Sequence, residues 1–217
     1  MELKMKVKRK NLELIFENLE ENPCPKVELE QYSTPNRVAA TLIFMAAYVF
    51  NDIEGKVVYD LGCGNGKLAI GAAILGAKRV VGIDIDPTVL KIAKLNAERA
   101  GVEDRVEWIA MDLKNLKGYA DTVIQNPPFG VQKRFSDRFF LKKALEVARV
   151  IYSIHKANFK VRRFIKDFIE ENGGRIDQII TVKLPIPFMF EFHTKKVHIV
   201  DVDVYRILKI GSQTESS

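Results

Sequence analysis

The sequence predicts an α/β protein built on a doubly wound, seven-stranded, mostly parallel sheet with an antiparallel hairpin at its C-terminal end. Three observations carry this expectation. Short apolar runs alternate with helical patterns between residues 56 and 171, the signature of crossover connections in a parallel sheet. The first apolar run opens into a glycine-rich turn and then a helix of small residues, as at a nucleoside-binding crossover. The last two apolar runs follow one another without a helix between them, which reads as a hairpin.

Taken in order, residues 6–20 form an amphipathic pattern with Val7, Leu12, Ile15, Phe16 and Leu19 on one side, closed by Asn22-Pro23-Cys24-Pro25. Thr34-Pro35 reads as a helix start, with a hydroxyl at the cap and proline at the first helical position. The helix behind it runs to about Asn51. Strands are expected at 56–60, 79–84, 106–110, 121–125, 150–154, 175–184 and 197–210. Helices are expected at 68–75, from Pro87 to Gly101, at 137–148 and at 159–171, the last closed by Gly173-Gly174 in a left-handed cap. The expected division is a basic helical extension over 1–26, one domain over 27–210, and a disordered polar tail over 211–217.

With 217 residues, 47% of them hydrophobic and 29% charged, the chain can bury one sizeable core and has the composition of a globular protein. No apolar run reaches the length of a membrane span, so no membrane partner is expected. The basic first ten residues have no apolar stretch behind them, which argues against a signal peptide. Two cysteines, Cys24 and Cys63, are too few for a disulfide framework or a zinc site, so no metal and a cytoplasmic setting are expected. The net charge of +6 is uneven: residues 1–10 carry +4, residues 11–126 carry −5 and residues 127–217 carry +7. That asymmetry suggests a polyanion at the N-terminal tip and after residue 126, although a solvated surface explains it as well.

Acidic residues follow the strands. Asp60 precedes the turn Leu61-Gly62-Cys63-Gly64-Asn65-Gly66, Asp84 ends the second strand twenty residues after Gly64, and Asp112 follows the third. Glycines let the backbone approach a ligand, and an acid at the end of the next strand can bind both ribose hydroxyls. A dinucleotide fits less well. The third glycine of its spacing falls on Lys67, and Asp60 would repel a pyrophosphate. S-adenosylmethionine lacks phosphate and carries an ammonium and a sulfonium, which an acidic loop suits. Asp112 can accept from the adenine amino group, with Leu113 beside the ring. Each acid could instead be a helix cap or a turn residue.

The fourth strand ends in Asn126-Pro127-Pro128-Phe129. Asn-Pro often starts a turn, and that reading is open. The other reading is a clamp for a flat group bearing an NH2: the Asn126 side-chain oxygen and the Pro127 carbonyl accept its two hydrogens while Phe129 stacks on the ring. Farther on, Phe188, Phe190, Phe192 and His193 interleave with Lys195 and Lys196, as in an RNA-binding rim or an apolar core edge.

Asp60 to Gly66 resembles the glycine motif of class I S-adenosylmethionine-dependent methyltransferases, a Rossmann-like fold, and Asn126 to Phe129 resembles the catalytic motif of amino-group N-methyltransferases. With Glu30-Gln31-Tyr32-Ser33-Thr34 and Phe192-His193-Thr194-Lys195-Lys196, the chain from about 27 to 210 is similar to the methyltransferase-like protein 5 family. That resemblance implies N6-adenine methylation of small-subunit ribosomal RNA. It also implies that Gln31, Thr34, Gly62, Gly64, Asn65, Asp84, Asp112, Leu113 and Asn126 join Asp60 in the cofactor site. It implies further that strand 105–111 is a sheet edge covered by a small zinc-binding activator protein. Competing expectations are an N-methyltransferase for DNA adenine or protein glutamine, and a non-catalytic RNA-binding assembly subunit.

Overall fold

The computed structural model describes residues 7–128, 136–187 and 197–210. Phe129, Phe188, Phe190, Phe192, His193, Lys195 and Lys196, together with residues 1–6 and the 211–217 tail, lie outside the described residues.

Seven strands form one sheet: β1 (Val57–Leu61), β2 (Arg79–Asp84), β3 (Val106–Ala110), β4 (Ala120–Gln125), β5 (Ala148–Lys156), β6 (Gly174–Pro187) and β7 (Val197–Lys209). Their order is β3-β2-β1-β4-β5-β7-β6. The first five strands run parallel, β7 pairs antiparallel with β5, and β6 closes the far edge as the second arm of a hairpin. The expected mostly parallel sheet with an antiparallel C-terminal hairpin therefore stands. The order reverses at β1, so β1, β2 and β4 deliver their C-terminal ends side by side, at the crevice where doubly wound sheets bind ligands.

Among the described residues, six α-helices cover the sheet: α1 (Arg9–Glu17), α2 (Asn36–Phe44), α3 (Lys67–Ile74), α4 (Pro87–Arg99), α5 (Ser136–Val147) and α6 (Phe159–Glu171). α2 continues as a π turn over Met45–Val49, so the segment read as one helix changes its winding near its end. α4 starts where Asp86 accepts from the Thr88 amide at 3.0 Å and Pro87 takes the first position. α6 starts where Asn158 accepts from the Val161 amide at 2.9 Å, and the expected left-handed residue after it is Gly173, at φ 74°. β6 runs past both ends of the expected 175–184, whereas β7 ends one residue short of the expected 197–210.

One core lies on the face of α1, α2 and α3. It includes Leu12, Phe16 and Leu19 from the N-terminal extension, buried with Leu42, Ile43 and Ile70. The helix of the extension is thus packed into the main core. Gly71 allows this: a Cβ there would stand 2.9 Å from Cζ of Phe16. The opposite face buries Leu61, Ile83, Leu141, Ile165 and Ile207 under α5 and α6. Among the described residues, no helix is long and apolar enough to cross a membrane.

The expected helix cap at Thr34 is corrected. α2 begins at Asn36, Pro35 holds the cap position, and no side chain caps the helix. The Thr34 hydroxyl instead accepts from Nδ2 of Asn126 at 3.0 Å. A long-range partner has replaced the local backbone amide.

Candidate functional site

At the C-terminal ends of β1, β2 and β4 lies a cavity of about 720 Å³. Its wall includes Asp60, Gly62, Gly64, Asn65, Asp84, Asp112, Leu113, Asn126 and Pro128, together with Gln31 and Thr34 from the segment between α1 and α2. The structure thus gathers around one space the described residues proposed from sequence for the cofactor. Pro127, buried, lies between Asn126 and Pro128.

The glycine loop is shaped by left-handed backbone. Gly62, Gly64 and Gly66 have φ of 68°, 54° and 84°. A Cβ at Gly62 would come 2.9 Å from the Phe140 ring, and one at Gly66 would come 2.6 Å from the Trp108 indole. At Gly64 it would meet nothing within 4 Å. The loop is therefore closed below by rings and open at Gly64, where a ligand can approach the backbone.

The acids divide their roles. Asp60 is buried; its Oδ2 accepts from the Ala69 amide at 2.9 Å, while Oδ1 is buried without a hydrogen-bond partner. Burial pushes its carboxyl up to about 8, against the pull of the Ala69 hydrogen bond, and the Asp84 charge raises it further. Asp84 accepts from the amides of Gly64 at 2.9 Å and Asp86 at 3.0 Å. Burial also raises its carboxyl, against those amide bonds. Asp112 caps the short turn Leu113–Asn115 by accepting from the Lys114 amide at 2.9 Å. The cap reading weighed from sequence therefore holds for parts of all three acids: each has at least one oxygen bonded to a backbone amide. Only Asp60 has a carboxylate oxygen left buried and unpartnered. The Cys63 thiol, buried between Asp60 and Asp84, is pushed well up by burial and then by both charges, which keeps it protonated.

At the end of β4, Asn126 is held on one side only. Nδ2 donates to Thr34, whereas Oδ1 is buried with no partner. A buried acceptor without a donor costs free energy and often marks a place completed by a ligand. Just before it, Gln125 is fully buried within the strand, with Nε2 donating to Ser153 at 3.0 Å. Ser153 in turn meets Nε2 of His155 at 2.8 Å. Burial lowers the imidazole to about 3, so it stays neutral at physiological pH.

Several residues of this site were not legible as such. Lys67, read from sequence as an obstacle to close packing, is 3% exposed. Its ammonium meets Glu21 at 2.9 Å, Ser33 at 3.0 Å, the Thr34 carbonyl at 2.8 Å and Asn36 at 2.8 Å. The close contact expected at that position falls to Gly66 against Trp108. Asn65 donates to the Glu20 carbonyl and to Glu21, both at 3.0 Å, so its amide faces the N-terminal segment. Gln31 donates to Asp86 at 2.9 Å, and Lys26 pairs with the same carboxylate at 3.0 Å. These bonds outweigh burial and hold Asp86 down to about 2. Phe139 and Phe140 join the cavity wall; an aromatic pair in the first turns of a helix just after residue 128 was the available signal. Among the described residues, no group of three or more His, Cys, Asp or Glu could hold a metal ion.

Comparison with known proteins agrees with this geometry. The family profile described as "Ribosomal protein L11 methyltransferase (PrmA)" matches residues 39–127, which hold the glycine loop and the strand ends. An uncharacterized protein of Methanocaldococcus jannaschii is 42% identical over 96% of this chain and 97% of its own. The rRNA N(6)-adenosine-methyltransferase METTL5 of Danio rerio is 34% identical over 92% of this chain and 98% of its own. The crystal structure of a candidate RNA methyltransferase from Pyrococcus horikoshii superposes with a TM-score of 0.84 at 40% identity, covering 95% of this chain and all of that one. Joined to a glycine loop, three strand-end acids and Asn-Pro-Pro around one cavity, these likenesses over nearly the whole chain show that it belongs to the methyltransferase-like protein 5 family.

Proposed function

We propose that this protein methylates N6 of an adenine in ribosomal RNA, and that the RNA is that of the small subunit. The observation that carries this reading is the half-held amide of Asn126, at the end of β4 on the wall of the cavity. An adenine amino group has two hydrogens and a lone pair delocalised into the ring. Hydrogen bonds from it to Oδ1 of Asn126 and to the Pro127 carbonyl favour a pyramidal nitrogen with the lone pair localised toward the cofactor. The residues need only align and polarise the nitrogen, whose proton can leave after transfer. A base treated this way is unstacked from its neighbours, and Phe129 is the residue we assign to receive its face.

The methyl donor of this family and fold is S-adenosylmethionine, which supplies an electrophilic methyl group on a sulfonium. The cavity wall fits it. Each Asp84 oxygen keeps lone-pair capacity for a ribose hydroxyl after its amide bond, and Gly64 leaves open space at the loop. The unpartnered Oδ1 of Asp60 suits an ammonium, and Asp112 with Leu113 suits the adenine. Gln31 and Asn65 would act by shaping the wall, because their amides are already bonded to protein.

Three further parts complete the reading. The catalytic domain is residues 27–210, with 1–26 as an extension, whose described helix α1 packs on it, and 211–217 as a tail. Phe192, His193, Lys195 and Lys196 form a rim for RNA, and the setting is cytoplasmic. A small zinc-binding activator protein covers the β3 edge. In support, among the described residues β3 has a strand neighbour only in β2, and Ala110 is exposed at its end.

Three outcomes check this. Asn126→Ala should leave the fold and cofactor affinity in place and slow single-turnover transfer to small-subunit RNA by about a hundredfold or more; a wild-type rate would contradict the clamp. Proton linkage tests the cofactor pose. The Asp60 carboxyl titrates near 8 in the folded protein, above its ordinary value of 3.8, so its contribution to stability falls as pH rises through that window. A ligand ammonium at Oδ1 favours the ionised form and releases the proton. Between pH 6 and 7, where an α-amino group is still charged, cofactor affinity should rise by up to about tenfold per pH unit, and Asp60→Asn should abolish the slope. A flat wild-type profile would contradict that placement. Addition of the activator protein should slow amide hydrogen exchange over Val106–Ala110; no protection and no complex would remove it from the account.

A further inference from the structure

We infer that Thr34 is a positioning residue for the methyl-transfer step, holding the Asn126 amide in place, and that the buried Lys67 ammonium fixes Thr34 for that task. The inference rests on the reading of Asn126 as the residue that orients the target amino group.

The chain of contacts is short and continuous. The Lys67 ammonium donates to the Thr34 carbonyl at 2.8 Å, and the Thr34 hydroxyl accepts from Nδ2 of Asn126 at 3.0 Å. Thr34 and Asn126 are 92 residues apart in sequence and both line the cavity. Thr34 is 8% exposed, so its hydroxyl is not a casual surface contact.

The Asn126 amide needs such an anchor. A backbone fixed by Pro127 and Pro128 sets where Cα sits but leaves rotation about the side-chain bonds. A flipped amide would offer NH2 to an amine, donor facing donor. In the arrangement present, Nδ2 is bonded to Thr34 and Oδ1 is the atom left for a substrate hydrogen. A hydroxyl can donate as well as accept, so Thr34 fixes the plane and position of the amide, and with Nδ2 bonded there Oδ1 is the atom left over.

Lys67 explains why Thr34 stays put. Thr34 lies outside α2 and outside any strand, in a segment with no ladder of its own. The ammonium ties that segment at three residues, Ser33, Thr34 and Asn36, and takes its countercharge from Glu21. It has three protons for four acceptors, so the bonds are shared and the cluster is saturated. A charge this buried is tolerated only when paired and hydrogen-bonded, so the cluster holds its shape as a unit. Lys67 is also the first residue of α3, directly after the glycine loop. The same side chain therefore joins the cofactor loop to the anchor of the catalytic amide.

A double-mutant cycle tests this. Thr34→Val removes the hydroxyl at nearly constant volume. It should slow single-turnover methyl transfer about ten- to a hundredfold at saturating cofactor and RNA, the scale of a small misplacement at a reacting centre. Because Thr34 also lines the cofactor cavity, the cofactor dissociation constant is measured by calorimetry without RNA; it should rise much less than the rate falls, and Thr34→Ser should restore most of the rate. In an Asn126→Ala background, Thr34→Val should have no further effect, because a residue acting only through Asn126 has nothing left to position. Lys67→Met should reproduce the rate loss where it folds; Thr34→Val keeps the test independent of that. Additive losses in the double variant, no rate loss in Thr34→Val, or a rise in cofactor dissociation constant matching the rate loss would overturn the inference. If Asn126→Ala alone leaves the rate unchanged, the reading of Asn126 fails instead.

Discussion

Everything at this site follows from where a parallel sheet ends its strands. β1, β2 and β4 stop on the same edge, so the residues at or just past their ends come side by side. Asp60, Asp84 and Asn126 are brought there by topology rather than by sequence proximity. Two carboxylates in a partly dry space repel each other. Burial and the Asp84 charge push the Asp60 carboxyl up to about 8, leaving one oxygen unpartnered. A positively charged group rich in hydrogen-bond donors suits that edge. That electrostatic demand distinguishes this crevice from one made for a pyrophosphate, which would add negative charge to negative.

The second constraint is closure. Open crevices in doubly wound sheets need a cover, and here the chain before α2 provides it. Asn96 in α4 is fully buried; it accepts from the Glu20 amide at 2.7 Å and donates to the carbonyls of Glu20 and Asn65 at 3.0 Å. Those bonds lock the end of the N-terminal extension onto the glycine loop. Asp86 does the same for Lys26 and Gln31, while also starting α4. Single side chains therefore serve both the fold and the site. Their removal would disturb stability and binding together, whereas the Thr34 hydroxyl can be removed with less disturbance.

Regular structure was largely legible, because each strand or helix is encoded by residues within it. The limits of β2, β3 and α6 follow directly from apolar runs and their breakers. The acids at the strand ends were legible for the same reason: position in a strand is local information. What sequence hid was contact between distant segments. Thr34 before Pro35 has every local mark of a helix cap, yet its partner is Asn126. Lys67 reads as an obstacle to close packing after the glycine loop until the segment from Glu21 to Asn36 is known to supply its partners. Gln125 sits in an apolar run, and only the register with Ser153 shows where its amide nitrogen finds a partner, while its oxygen is buried without one. The face-sharing of Phe140 with Gly62 was equally invisible, since it depends on where α5 returns to the sheet.

The central claim is that this crevice places a methyl group on an adenine amino nitrogen of ribosomal RNA. Incubation of the protein with methyl-labelled S-adenosylmethionine and separated small-subunit RNA, large-subunit RNA, DNA and ribosomal protein tests it directly, with the labelled residue identified by mass spectrometry after digestion. The account predicts label in small-subunit RNA, at a single position, as N6-methyladenosine. Label on glutamine, on guanine or cytosine, or in DNA would contradict it.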